Sequence, residues 1–99
     1  MQISDKDGIM TVELTGEIDH HTASSVRNKV DNALTQKQPS GLILDFSKVT
    51  FMDSSGVGLV LGRYKRTHEM NCSLAVSGLS PRDSRMMKMS GLQDLIEFR

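Results

Sequence analysis

Short runs of β-forming residues alternate along this chain with segments in which apolar residues recur every three or four positions. Ile9–Leu14 alternates between two faces, as a strand does, whereas Thr22–Gln36 carries its apolar residues on one helical stripe. Apolar runs at Leu42–Leu44 and Ser73–Val76 predict two further strands, and Ser55–His68 predicts a second helix. Because helices separate the strands, the pattern predicts an α/β fold in which α-helices cover a mixed β-sheet.

Turn-forming residues indicate where these first elements end. Asp5–Gly8 is strong turn chemistry, so Met1–Ser4 is expected to pair back on the next strand as an antiparallel edge. Gly16 is expected to end that next strand. The run Gln38–Gly41 ends the first helix, since a proline disfavours helical geometry in the residue before it. Leu42–Leu44 then has the nearly continuous apolar pattern of a central strand that is covered on both faces.

A third helix is predicted near the end of the chain. Ser80 is suited to the N-cap and Pro81 to the first helical position, and Asp83 is expected to reach back to the cap. The helix should stop at Gly91, and Leu95–Phe98 is predicted as a last short strand. The predicted order is β-β-α-β-α-β-α-β within a single domain that spans residues 1–99.

Charge and cysteine content exclude several kinds of partner. The 12 Lys and Arg residues balance the 12 Asp and Glu residues, so the chain lacks the basic field that attracts nucleic acid. No apolar run reaches the ~18 residues of a membrane span, and Met1–Asp5 does not begin a signal peptide. Cys72 is the only cysteine, and its apolar surroundings favour a buried thiol over a reactive one. These features predict a cytoplasmic protein with neither nucleic-acid nor membrane partners.

The run Asp53–Gly56 holds most of the functional information. It follows a strand and begins a helix, at the end of the sheet where open α/β folds usually bind their ligands. Asp53 or Ser54 is suited to cap this helix, and a plain cap is the simplest interpretation. However, Gly56 and Gly58 weaken a first helical turn, which suggests close approach by another molecule or by another part of the backbone. A phosphate on Ser54 would meet the positive end of the helix, so the fold is expected to tolerate phosphorylation there while a complementary partner would be repelled.

Enzymatic interpretations have weaker support. The chain has no Gly-x-Ser-x-Gly nucleophile elbow, and a phosphate-cradling loop at Gly56–Gly62 would have Arg63 where a lysine is needed. A nucleotide-binding or hydrolysing domain that uses this segment nevertheless stays open as the alternative function. Asp45 at a strand end could serve a phosphorelay receiver, but the acidic pair that such domains need is missing. His20 and His21 would point apart on a helix, so no metal site is expected. No catalytic residue and no cofactor are expected either.

Two clusters in the helices each allow two interpretations. Arg63, Lys65 and Arg66 are most simply solvated residues that complement a helix C-terminus, but they could meet acidic groups on a partner. Met86, Met87 and Met89 are most simply adaptable core filling, with a docking surface as the alternative. The Asp19–His21 run is most simply a cap and first helical turn.

Three motifs carry a resemblance to a known family. Phe51–Gly58, continuing through Leu61–Lys65, resembles the signature of STAS-domain anti-sigma factor antagonists, and in particular of the sporulation antagonists that act on an anti-sigma F factor. Leu14–Ala23 and Met89–Leu92 are similar to two further blocks of the same family, in the same order. A C-terminal helix usually follows in the family, so here that helix is expected to be cut short or missing after Arg99.

The resemblance implies a switch between partners. In the family the unphosphorylated protein binds an anti-sigma factor that is also a serine kinase, and so frees a sigma factor. The kinase then phosphorylates the first serine after the motif aspartate, here Ser54, and a PP2C-type phosphatase restores the active form. The implied protein is not an enzyme and is expected to be a monomer when free. The implied partner-binding residues are Asp19, His20, Asp53, Ser54, Ser55, Gly56, Gly58 and Arg63.

Overall fold

The computed structural model describes all 99 residues of the chain. Its elements follow the predicted order, with one added 3-10 turn between the last helix and the last strand. The helix bounds lie within a few residues of those predicted, because caps and turns set them locally. The elements are β1 (Gln2–Lys6), β2 (Ile9–Ile18), α1 (Ala23–Lys37), β3 (Gly41–Met52), α2 (Ser54–Glu69), β4 (Ser73–Ser77), α3 (Pro81–Met89), the 3-10 turn Leu92–Asp94 and β5 (Glu97–Phe98).

The five strands lie in the sheet in the order β1-β2-β3-β4-β5. Only β1 is antiparallel to its neighbour, and Asp7 and Gly8 form the hairpin turn with φ values of 54° and 83°. From β2 onward each strand is parallel to the last and adds to the same side of the sheet. Because such crossovers are right-handed, successive steps in one direction place all three helices on one face.

The helices cover only one face of the sheet, so the central strand β3 is not covered on both faces as predicted. Leu42 and Leu44 are buried, but Ile43 between them is only half-buried because its side of the sheet carries no helix. In β2, Met10 and Val12 are likewise fully buried while Thr11 between them is half-buried. The predicted alternation of β2 is confirmed. The prediction that β3 is buried on both faces, made from three adjacent apolar residues, is wrong.

Two strands are longer than their apolar patterns predicted. Gly16 does not end β2: it takes a φ of 76° next to a register shift, and the strand continues to Ile18. β3 likewise continues past Asp45, where its pairing with β4 ends, and stays paired with β2 as far as Met52. Ser47 and Lys48 interrupt the apolar residues of this extension, so no regular alternation marks it in the sequence.

The core lies between the sheet and the helices. α1 contributes Val30 and Leu34 to it, and α2 contributes Leu59 and Val60, while α1 and α2 also pack against each other. None of the three helices is long and apolar enough to cross a membrane. The remaining core side chains come from the strands and the C-terminal third of the chain: Met10, Val12, Leu14, Ile18, Leu42, Leu44, Phe46, Met52, Cys72, Leu74, Val76, Met87, Leu92 and Ile96.

The start of α3 confirms most of its predicted cap. Ser80 is the N-cap, its hydroxyl oxygen accepts a hydrogen bond from the backbone N–H of Asp83 at 3.1 Å, and Pro81 opens the helix. The carboxylate of Asp83 accepts from the Arg82 guanidinium at 3.1 Å. The reciprocal half of the predicted capping box is therefore replaced by an ion pair. Met87 in this helix is fully buried whereas Met89 is 82% exposed, so the methionines divide between core and surface.

Candidate functional site

Asp53 forms the junction between β3 and α2. Its backbone is extended, and its carboxylate accepts a hydrogen bond from the backbone N–H of Ser55 at 2.8 Å. Its carbonyl accepts from the N–H of Gly56 at 3.0 Å. Of the two residues suited to cap α2, the structure therefore selects Asp53.

Ser54 is left free by this cap. It is the first residue of α2, its side chain is exposed, and the cap contact is made by Asp53 in its place. The first N–H groups of a helix lack partners within the helix, and the helix dipole is positive here. The hydroxyl of Ser54 is therefore exposed and lies where added negative charge is favoured.

The turn that contains Asp19 and His20 directly follows the residue of β2 that contacts this junction. The carbonyl of Ile18 accepts a hydrogen bond from the N–H of Asp53 at 3.1 Å, which joins the end of β2 to the start of α2. The carboxylate of Asp19 in turn accepts from the N–H groups of His21 and Thr22 at 2.9 and 3.0 Å. Asp19 thus organises the turn before α1, but the N-cap is Thr22, so the interpretation of Asp19–His21 as a cap and first helical turn is wrong.

The electrostatics of Asp19 follow from this turn. The hydrogen bond from the Thr22 backbone N–H is the largest influence and holds the pKa of the Asp19 carboxyl below its ordinary value, with His21 acting in the same direction. Partial desolvation opposes the effect. Asp19 therefore stays charged at neutral pH beside the proposed site.

The two histidines were placed wrongly from the sequence. They belong to the turn before α1 and not to a helix, and the ring centroids of His20 and His21 are 4.0 Å apart. The expectation that they point apart assumed helical geometry, which the Asp19 turn replaces.

Gly56 and Gly58 differ in what surrounds them. A Cβ at Gly56 would lie 2.2 Å from the sulfur of Met52, a fully buried core side chain. The close approach at Gly56 is therefore internal and is made by a side chain. Gly58 is exposed and a Cβ there would meet no atom within 4 Å, so only Gly58 is open to another molecule.

Arg63 is buried, which contradicts the solvated interpretation. Its side chain is 8% exposed and its Nε lies 2.9 Å from Oδ1 of Asp31 in α1. Burial lowers the pKa of the Arg63 guanidinium; Asp31 opposes this, while Arg27 and Arg66 act with it. Arg63 is thus placed between α1 and α2.

The glycine segment does not form a phosphate-cradling loop. Gly56, Gly58 and Gly62 all lie within α2, where N–H groups beyond the first turn are used by the helix. Asp45 is not at a strand end either, since it lies inside β3 and its carboxylate accepts from the N–H of Ser47 at 2.9 Å. Neither alternative chemistry has its required backbone geometry.

Arg82 at the start of α3 is a neighbour of the site that the sequence did not reveal. Its Nη1 donates a hydrogen bond to the carbonyl of Met52 at 3.1 Å, and its guanidinium lies 5.7 Å from the ring centroid of Phe51. Phe51 is 46% exposed for so large an apolar side chain. Helices that follow parallel strands begin at the same edge of the sheet. The position of Arg82 at the start of α3 could therefore have predicted that it lies near the start of α2.

Comparison with known proteins identifies the family of the chain. A family model described as the STAS domain matches residues 1–99. The chain belongs to the STAS domain family. This STAS domain is similar to an anti-sigma F factor antagonist of Paenibacillus polymyxa, at 41% identity over 86% of the chain and 73% of the relative. It is similar to an anti-sigma-B factor antagonist of Bacillus subtilis at 29% identity, over 99% of the chain and 88% of the relative.

Solved structures agree with the fold of this STAS domain. The anti-sigma factor antagonist SpoIIAA in its unphosphorylated form matches with a TM-score of 0.83 at 31% identity, covering 99% of this chain and 86% of that one. SpoIIAA of Bacillus in its phosphorylated form matches with a TM-score of 0.77 at 31% identity, covering 99% and 89%. The predicted family and the mixed-sheet α/β fold are confirmed.

Proposed function

We propose that this STAS domain is an anti-sigma factor antagonist that switches partners through Ser54. In its unphosphorylated form it binds an anti-sigma factor that is also a serine kinase, and a sigma factor is released. Phosphorylation of Ser54 ends the binding, and a PP2C-type phosphatase restores it. The observation that carries this proposal is the cap: Asp53 holds the start of α2, so the Ser54 hydroxyl is exposed and free.

The relatives support this choice and favour a sporulation role. The relative at 41% identity is named as an antagonist of anti-sigma F factor, and those named as antagonists of anti-sigma-B factor are at 34% or lower. SpoIIAA occurs as a phosphorylated and as an unphosphorylated structure, and both resemble this chain. We infer that an anti-sigma F factor is the partner.

The fold should tolerate a phosphate on Ser54. A phosphoserine carries about −1.5 to −2 charges at neutral pH. At the first residue of α2 this charge meets the positive end of the helix, which contributes about 0.3–1 kcal/mol, partly offset by repulsion from Asp53. Because Ser54 is exposed, no packing is displaced.

A complementary partner would not tolerate the same phosphate. At ~4 Å from a partner carboxylate, each pair of unit charges costs on the order of 4 kcal/mol at an effective dielectric constant of ~20. That corresponds to roughly a thousandfold loss of affinity. Phosphorylation therefore separates binding from folding, as a reversible switch requires.

The proposed docking surface surrounds Ser54. It comprises Asp19 and His20 from the turn before α1, the junction residues Asp53 and Ser55, and Gly58 on the exposed side of α2. Gly56 acts indirectly, because it is buried and allows Met52 to pack beneath the junction. Arg63 belongs to the set through its position between α1 and α2, where it lies against Asp31.

Phosphorylation with labelled ATP tests the proposal. We expect label on the wild type and on Ser55→Ala when the anti-sigma F factor of the native cell is present, and none on Ser54→Ala. Without the kinase, no variant should turn over ATP. Turnover by the isolated wild type that is lost in Ser54→Ala would support the nucleotide-hydrolysing alternative instead.

A charge mimic separates binding from folding. Ser54→Asp should weaken binding of the anti-sigma factor at least tenfold while shifting the melting temperature by less than ~4 °C, since a change of 1 kcal/mol shifts a domain of this size by about 4–8 °C. A large loss of thermal stability in Ser54→Asp would contradict the argument from the helix terminus.

A further inference from the structure

A recess lies between α1 and α2, beside the junction that carries Ser54. Its volume is about 330 Å³. Ser55 at the start of α2 is one of its walls, so the recess is continuous with the proposed docking surface. The residues that line it and carry the following argument are Ser24, Arg27, Ser55, Gly58, Gly62 and Arg63.

Arg63 is the buried polar group of this recess, and its hydrogen-bonding capacity is not used. Nε lies 2.9 Å from Oδ1 of Asp31, but the N–H is not aligned with that oxygen for a hydrogen bond. Nη1 is buried and has no hydrogen-bond partner at all. A guanidinium that is more than nine-tenths buried with unused donors is costly, unless another acceptor completes it.

The charges around Arg63 are also unbalanced. Arg27 and Arg66 both lie close enough to lower the pKa of Arg63, whereas Asp31 is the acidic group that opposes burial. Arg66 Nε is 3.7 Å from the same Oδ1 of Asp31, so two guanidinium groups share one carboxylate. Three positive side chains against one negative leave a site that attracts an anion.

The recess has room and further donors for such a group. A Cβ at Gly58 or Gly62 would meet no atom within 4 Å, so one wall is bare backbone. Ser24 and Ser55 place a hydroxyl on each helix at the recess. Two serines and two arginines around an open space match the donors that an oxyanion accepts.

We propose that this recess receives a carboxylate side chain of the anti-sigma factor, with the guanidinium groups of Arg63 and Arg27 as its principal donors. The inference rests on the proposed function and specifies how that partner docks. A phosphate of the kinase is the less suitable occupant, because the phosphate donor must approach Ser54, which does not line the recess. The partner carboxylate therefore docks beside Ser54 and does not contact its hydroxyl.

Two matched pairs of variants test this. Arg27→Gln removes a charge at the recess, and Lys29→Gln removes the same charge from an exposed position of α1 that does not line it. Ser24→Asp adds a carboxylate at the recess, and Ser25→Asp adds one at the next exposed position, outside it. All four side chains are exposed on α1, and an acidic residue in the first helical turn does not harm a helix.

Binding is measured by calorimetry against the recombinant anti-sigma F factor of the native cell, without ATP and at ~0.15 M salt, where distant surface charges are screened. We expect Arg27→Gln and Ser24→Asp to weaken binding about tenfold or more, since each removes or replaces a charge-assisted contact. Lys29→Gln and Ser25→Asp should change it less than about twofold. Circular dichroism confirms that each variant is folded.

The outcomes distinguish the inference from the proposed function. Equal effects within each matched pair, with wild-type binding intact, would overturn the carboxylate recess and leave the Ser54 switch standing. Absence of any binding by the wild type would overturn the proposed function and the recess with it. Binding by Arg27→Lys that is close to wild type, when Arg27→Gln binds weakly, would further support a charge contact at this position.

Discussion

Gly56 and Gly58 lie two residues apart in α2, yet replacing each with alanine should change the stability of the domain in opposite directions. Both positions are helical, so alanine gains about 1 kcal/mol of helix propensity at either one. The difference comes from what the new methyl group meets. At Gly58 it meets open space, so the full gain should be realised.

At Gly56 the methyl group would overlap a core side chain. The ideal Cβ lies 2.2 Å from the sulfur and 2.4 Å from Cγ of Met52, a side chain that is fully buried in the core. Forcing an extra methyl group into a packed core costs about 1–3 kcal/mol. After the gain in propensity, Gly56→Ala should lose up to about 2 kcal/mol.

Urea unfolding followed by circular dichroism measures both variants on one scale. The free energy of unfolding should be higher than that of the wild type for Gly58→Ala and lower for Gly56→Ala. In a thermal scan each 1 kcal/mol should move the melting temperature of a domain of this size by about 4–8 °C in the same direction. Equal stabilisation by both substitutions would refute the reasoning, because it would mean that Met52 moves aside without cost.

Three further results are expected. Asp53→Ala should lose about 1 kcal/mol of unfolding free energy with the cap to Ser55, whereas Ser54→Ala should stay within ~0.5 kcal/mol in the same urea titration; equal losses would mean that Ser54 caps α2. The pKa of Asp19 is lowered by folding, so its stabilisation is complete above its ordinary value of 3.8 and is lost as the pH falls through the folded value. The stability difference between wild type and Asp19→Asn should therefore shrink below about pH 4, and a constant difference would contradict the hydrogen-bonded turn. Burial raises the pKa of the Cys72 thiol, so alkylation at pH 7 should be slow until urea unfolds the domain, and rapid labelling of the folded protein would refute its burial.

The order of elements could be predicted from the sequence because each signal is local. Ser80 and Pro81 begin α3 through contacts within one helical turn, and Asp7 and Gly8 close the hairpin through their own backbone preferences, although the predicted turn also included Asp5 and Lys6, which belong to β1. The motif around Ser54 was equally local, and it indicated both the family and the position of the candidate site. The choice of Asp53 as the cap needed coordinates, because two adjacent residues had suitable side chains.

The wrong predictions of the fold concern strand ends and burial, which depend on pairing with segments that are distant in the sequence. β2 passes through Gly16 because β3 continues to pair with it, and β3 extends past Asp45 although Ser47 and Lys48 interrupt its apolar alternation. The burial of one face of the sheet depends on which way successive strands are added, which no single segment records.

The junction at Ser54 illustrates the same division. By itself the sequence determined that an acidic residue and a hydroxyl, either of them suited to the cap, would stand at the start of a helix, since capping chemistry acts over two or three residues. Only the tertiary structure decided that Arg63 would be buried against Asp31 of another helix and leave a charged recess beside that hydroxyl. Packing of α1 against α2 joins residues 32 positions apart along the chain, and the spacing of arginines within one helix does not specify it.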